Sequence, residues 1–203
     1  MPQIHARSAT LALAAGCGLL AGCGAPAPTP SGSGLTAVAT PTPLAGTPVR
    51  TDMFSAVVPV RWTNRISDAT EVGKFGGSGR VELLIEQPPP GQAQPNVNDV
   101  TANLNVVLMS STIPVDQMAT YLQSVANSGA TNLGSPRPVT IDGATGQSIT
   151  YDRDIQGTPG ESRDMVVNHG GRTFHIVLNT SQYAFNQQLA ALQAVLTAWR
   201  WRS

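Results

Sequence analysis

Serine, histidine and aspartate are the residue types of this 203-residue chain that most directly suggest catalysis. Ser110-Ser111 follows an apolar run, and Asp164 and His169 lie further on. No Gly-x-Ser-x-Gly elbow presents either serine, so ordinary solvent-facing polar side chains are the plainer reading. His169 and His175, with Asp152 and Asp154 on a neighbouring strand, would make a metal set if alternate residues brought them to one face. Zinc or calcium needs three or more well-placed ligands. Arg153, Arg163 and Arg172 sit among these carboxylates, so the pattern reads first as a salt-bridged hairpin face. Gly73–Gly79 is glycine-rich and holds Lys74, the chain's one lysine. A phosphate loop places its lysine after the glycines and before a helix. Here a strand is expected next, and the segment reads as a mobile loop. Trp62, Phe75 and Trp201 would line a groove, touch lipid, or simply pack at chain ends. Asn179-Thr180-Ser181 fits an N-glycosylation pattern and reads more simply as the start of a helix. These constellations assign no catalytic residue, no metal site and no cofactor, and they leave the ligand-binding residues unknown.

Cys23 carries a different chemistry. The chain has two cysteines, Cys17 and Cys23. Met1–Ser8 holds Arg7 and His5, and Ala9–Leu20 is apolar or small without a charge. That is the layout of a signal peptide, too short to span a bilayer permanently. The segment closes Leu20-Ala21-Gly22-Cys23, which resembles the bacterial lipobox: an aliphatic residue, two small ones, then cysteine. The resemblance implies diacylglycerol on the Cys23 thiol, cleavage after Gly22, and acyl chains such as palmitate holding the chain to a membrane. Small residues at 21 and 22 let the backbone enter a peptidase cleft. Cys17 follows Ala14-Ala15-Gly16, lacks the aliphatic residue and would leave the apolar run too short. Two or three acyl chains anchor stably, since each buried methylene contributes about 0.8 kcal/mol and one chain alone is marginal. The expected location is the extracytoplasmic face of a cell membrane.

The elements that would position these residues begin after a change in composition. The chain has 20 glycines and 16 prolines. Residues 23–50 are rich in Pro, Thr, Ala, Gly and Ser and hold no aromatic, which predicts a disordered tether behind the lipidated cysteine. All ten aromatics fall within 51–203, read as one domain. Lys+Arg and Asp+Glu are 12 each, and charged residues make up only 12%. That balance, without a basic cluster, excludes nucleic acid as a partner. Strands are expected at Met53–Val60, at Arg80–Glu86 (apolar on both faces at Leu83, Leu84 and Ile85) and at Ala102–Ser110. Pro88–Asn98 is expected to be a loop. The spacing of Val115, Met118, Leu122 and Val125 predicts a helix over Val115–Ser128. Pro138–Ile141 and Thr145–Arg153 form a hairpin through Asp142-Gly143, a pair suited to left-handed torsions. Arg163–Val167 and Thr173–Leu178 flank a second tight turn at Gly170-Gly171. A helix over Ser181–Trp199 is expected, capped by Ser181, with Phe185, Leu189, Leu192, Leu196 and Trp199 along one stripe. The fold class is therefore α+β: a mostly antiparallel sheet covered by two amphipathic helices.

The run Val139–Tyr151, the strand Gly171–Leu178 and the closing helix to Trp199-Arg200-Trp201 are similar to the same segments of PsbP-like domains. With the lipobox and tether ahead, the chain resembles actinobacterial lipoproteins of the LpqN/LpqT sort. The resemblance implies an αβα sandwich and a non-catalytic accessory or binding role, with no catalytic residues to transfer. Two function classes follow. One is an accessory or protein-docking module of the cell envelope, not an enzyme. The other is a carrier for a lipid, glycolipid or other apolar ligand, which calls for an apolar cavity between the sheet and the last helix.

Overall fold

The computed structural model describes residues 46–87, 100–155 and 157–202. The segments read as signal, lipobox (Leu20, Ala21, Gly22, Cys23) and most of the tether lie outside these residues, as does the loop expected at Pro88–Asn98. In chain order the strands are β1 (Gly46–Arg50), β2 (Phe54–Pro59), β3 (Thr63–Asn64), β4 (Gly79–Gln87), β5 (Ala102–Met109), β6 (Ala130–Leu133), β7 (Arg137–Ile141), β8 (Ala144–Ile155), β9 (Thr158–His169), β10 (Arg172–Ser181) and β11 (Arg200–Trp201). The helices are α1 (Ala69–Gly73), α2 (Met118–Asn127) and α3 (Phe185–Thr197).

The main sheet runs β3-β4-β5-β10-β9-β8-β6, with β7 also paired to β8. Every pairing in it is antiparallel. Both hairpins use the turns their residues allow. Asp142 and Gly143 have φ of 45° and 81°, and Gly170 and Gly171 have 56° and 74°, the pair of left-handed torsions a two-residue hairpin needs. β8 and β9 approach closely at Gly146, where a Cβ would stand 2.0 Å from the Val166 carbonyl oxygen.

One face of the sheet is sealed. Leu83 and Ile85 of β4, Leu104 and Val106 of β5, and Phe174 and Ile176 of β10 are all fully buried there. They pack under α3 and under β2, which forms a second, three-stranded sheet in the order β1-β2-β11. Phe54 of β2 stacks on Trp199 with centroids 3.9 Å apart at 17°. Trp201 meets both rings edge-on and donates its indole N–H to the Ile141 carbonyl at 2.8 Å. On the opposite face, α2 buries Met118, Leu122 and Ala126 against Ile149, Tyr151 and Val166. Helices thus lie on both faces, and β4 is apolar on both sides because both sides are covered: Leu83, Leu84 and Ile85 are all fully buried.

Several boundaries differ from the sequence reading. Gly46–Arg50, read as the end of the tether, is β1, paired residue for residue with Pro59–Ser55 of β2. Backbone pairing with an edge strand asks little of side-chain composition, and Val49 packs on the core. The first turn of the helix expected from Val115 is a 3-10 turn, Val115–Gln117. Ser181 is the last residue of β10 and not a cap; α3 starts behind Ala184, which has no side-chain cap. Gly73–Gly79, read as a mobile loop, holds the end of α1, a 3-10 turn (Gly76–Ser78) and the start of β4. Asp68 starts α1 by accepting from the backbone N–H groups of Thr70 and Glu71.

Trp199 is fully buried, and its indole N–H has no partner among the described residues. Its contribution is packing. Trp199→Ala is expected to destabilise the domain by about 3–5 kcal/mol, read as a lowered urea midpoint. Trp199→Phe keeps the stack and removes an unpaired donor, so its midpoint should stay much closer to that of the parent.

Candidate functional site

The face that carries α2 is covered unevenly. α2 lies over β8 and β9, and the 3-10 turn Gly76–Ser78 that follows α1 lies against β4 and β5. Between them the middle strands β5 and β10 floor an open groove of about 560 Å³. Lys74, Phe75 and Gly77 wall it on one side and Val125 of α2 on the other, while Tyr151, Arg153 and Ile155 of β8 extend it.

Polar residues occupy this floor where the other face of the same strands presents Leu104, Val106, Phe174, Ile176 and Leu178. Asn103 lies opposite Asn179, Asn105 opposite Val177, and His175 opposite Val107. The Asn179 amide donates to Asn103 Oδ1 at 3.0 Å, and the Asn105 amide reaches the same oxygen at 3.4 Å. The Ser162 hydroxyl donates to Asn179 Oδ1 at 2.6 Å. Asp164 is diagonal to His175 across the β9–β10 ladder. His175 Nε2 lies 3.0 Å from one Asp164 oxygen, and the Tyr151 hydroxyl donates to the other at 3.3 Å. Tyr121 of α2 meets the His175 ring edge-on at 5.8 Å. Asn105, Asp164, His175, Asn179 and Tyr151 are all less than a tenth exposed. Burial, and then the Asp164 carboxylate, push the Tyr151 hydroxyl up to about 12. Tyr151 therefore remains a neutral donor at any physiological pH.

The residues singled out by sequence are mostly not brought together. Asp164 pairs with His175, not with His169, and Ser110 and Ser111 are exposed beyond the end of β5. His169 shares its face with Met165 and Val167, opposite to His175. It stacks on Trp201 at 4.4 Å and 8°. Asp152 and Asp154 alternate with Tyr151 and so leave the His175 face. Asp152 accepts from Asn132 and Gln182, and Asp154 accepts from Gly157 N–H in the β8–β9 turn. The four candidate metal ligands are thus split between two faces. Lys74 bonds Glu71 at 2.6 Å, and that bond raises its pKa. Of the three aromatics grouped by sequence, Trp62 is buried by α3, Phe75 lines the groove and Trp201 caps β2. The glycosylation pattern falls on a buried strand: Asn179 is held by two side chains and Thr180 is 1% exposed.

Sequence reasoning missed Asn103, Asn105 and Tyr151 as partners of one site. A signal existed: two asparagines at alternate positions inside an otherwise apolar strand put two amides on one face. What could not be read was that β10 lies beside β5, some seventy positions away.

Two solved structures have this arrangement of sheet and helices. LpqN, described as involved in cell envelope biogenesis of Mycobacterium tuberculosis, aligns over 78% of this chain and 86% of its own, with a TM-score of 0.53 at 13% identity. The cyanobacterial PsbP of Synechocystis aligns over 78% of this chain and 94% of its own, with a TM-score of 0.51 at 15% identity. The fold is PsbP-like. No family model matches the sequence, and no curated protein does. At these identities the PsbP-like likeness concerns the fold; the polar groove is described from this chain's own residues.

The raised Tyr151 pKa has a sign for stability. The folded state holds the phenol proton more tightly than the unfolded chain, whose pKa is near the ordinary 10.0. The associated stabilisation is complete below about pH 10 and is lost as pH rises through about 12. Urea unfolding across that window should show a fall on the order of 2–3 kcal/mol. Tyr151→Phe should flatten that fall and remove the phenolate step near pH 12 from the absorbance titration.

Proposed function

We propose that the chain is a lipoprotein of the extracytoplasmic membrane face whose PsbP-like domain serves the cell envelope as a non-catalytic accessory or protein-docking module. The observation that carries this reading is the filled interior beneath α3. A carrier for an apolar ligand would hold its cargo between the sheet and this helix. Phe54, Phe174 and Trp199 occupy that space with no exposed surface, and Leu192 and Val195 close it. On this side of the sheet a cleft of about 370 Å³ opens beside the first half of α3, lined by Pro59, Val60, Trp62 and Ala191. The Asp164–His175 pair is tied to Tyr151, and the Ser162 hydroxyl is committed to Asn179. Both features suit a structural or binding role better than a reacting one.

Anchoring rests on Leu20-Ala21-Gly22-Cys23 and the apolar run before it. Among the described residues no helix is long and apolar enough to cross a membrane. LpqN, one of the proteins that share the fold, is described as taking part in envelope biogenesis, which agrees with an envelope role.

Cys23→Ala is expected to abolish incorporation of a fatty-acid analogue and to move the chain from the membrane pellet to the soluble fraction. Labelling that persists in this variant would overturn the anchor. Solvent extraction of the parent chain followed by mass spectrometry should find no stoichiometric lipid beyond the anchor itself; a stoichiometric free lipid would favour the carrier.

A further inference from the structure

We propose that the groove over β5 and β10 binds a short saccharide, seated on the Asn103–Asn105–Asn179 floor and flanked by Phe75. The inference stands apart from the anchoring and docking reading and depends only on the geometry of the groove.

The floor is polar at the centre of a sheet, where polar groups are costly to bury unless they are hydrogen-bonded. Asn105 is 3% exposed and Asn179 8%. Each amide carries both donors and an acceptor, and Asn103 Oδ1 already gathers two of the donors. His175 and Tyr151 add two further polar groups in fixed orientation, both held by Asp164. Such a surface matches a ligand whose groups each donate and accept at close spacing, which is the chemistry of neighbouring sugar hydroxyls. Val107 and Val177 interleave with the amides on the floor. With the half-buried Phe75 ring they supply the apolar surface that a sugar's C–H face needs. The volume, about 560 Å³, lies within the range of small-ligand sites.

Other ligand classes fit less well. An acyl chain would meet amides instead of an apolar floor. An added peptide strand would need a free sheet edge, and β5 and β10 are each paired on both sides. A small anion would meet the Asp164 carboxylate and the Asn103 carbonyl oxygen; of the cations that line the groove, Lys74 is engaged with Glu71 and Arg153 stands exposed on β8, two strands away from the β10 floor.

The test uses the full chain, purified in detergent, with saturation-transfer NMR against maltose, lactose, cellobiose and chitobiose, and with inorganic phosphate and diglycine as non-sugar probes. At least one disaccharide should bind saturably in the millimolar range or tighter, and neither non-sugar probe should compete. Asn105→Ala and Phe75→Ala should each weaken that binding tenfold or more, while Tyr183→Ala, on an exposed residue outside the groove, should leave it unchanged. An unchanged urea midpoint for the groove variants separates lost binding from lost folding. If either groove variant unfolds, the milder Asn105→Ser or Phe75→Leu takes its place. Absence of saturable binding for all four disaccharides up to about 50 mM, far weaker than the 1 mM affinity worth about 4 kcal/mol, would overturn the proposal. So would binding that the groove variants leave intact, or competition by phosphate or diglycine.

Discussion

Phe54 and Trp199 stack at 3.9 Å, and neither ring has exposed surface. Such a pair is worth about 0.5–1.5 kcal/mol beyond the area it buries, but its main effect is architectural. It ties β2, near the start of the described chain, to the residue that follows α3, near its end. β11 then pairs with β2 at Ser55 and Phe54. Trp201 reaches across to the β7–β8 turn, where Asp142 accepts its backbone N–H at 2.9 Å and Ile141 accepts its indole N–H. One aromatic cluster thereby joins the small sheet, the last helix and a hairpin of the main sheet. With that contact in place the α3 face is closed, and the apolar face of β4, β5, β9 and β10 has its cover.

Closing one face leaves the polar side chains of these strands to the other. The strands that supply Leu104, Ile176 and Leu178 to the sealed side supply Asn103, Asn105, His175 and Asn179 to the open side, because successive strand residues alternate. α2 and the 3-10 turn after α1 each cover only part of that side. The middle strands floor the groove between them, with Asn103 the most exposed of their groove residues, while their backbones are paired on both edges. A floor of this kind holds its amides in place through the ladder itself, whereas a loop would have to order them at an entropic cost.

Local sequence rules read much of this. Strands β4, β5 and β10, helix α2 and both tight turns follow from alternation, helical spacing and the Asp-Gly and Gly-Gly pairs. Those features are decided by neighbours in the chain. β1, β3, β6 and β11 were not legible, since each is short and is specified by the strand it pairs with. Ala130–Leu133 has three exposed residues and offers no periodicity to detect. Ser181 looked like a cap because serine favours that position, but the β9 ladder runs as far as Gly160 and holds Ser181 as strand. The groove was legible only in fragments. By local rules Asn179 reads as a helix start and His175 as part of a salt-bridged hairpin face, because their true partners, Asn103 and Asp164, come from strands whose adjacency no local rule specifies.

β1 is an edge strand in the direct line of the chain that precedes the domain. Its five residues pair only with β2. Any tension on the chain ahead of Gly46 reaches the domain through this strand first. Peeling it would release about 17 Å of chain, at up to ~3.3–3.6 Å per residue, before load reached Phe54 and the buried stack. β1 is thus placed to act as a mechanical fuse that yields first under load while the groove, on the far face of the other sheet, keeps its shape.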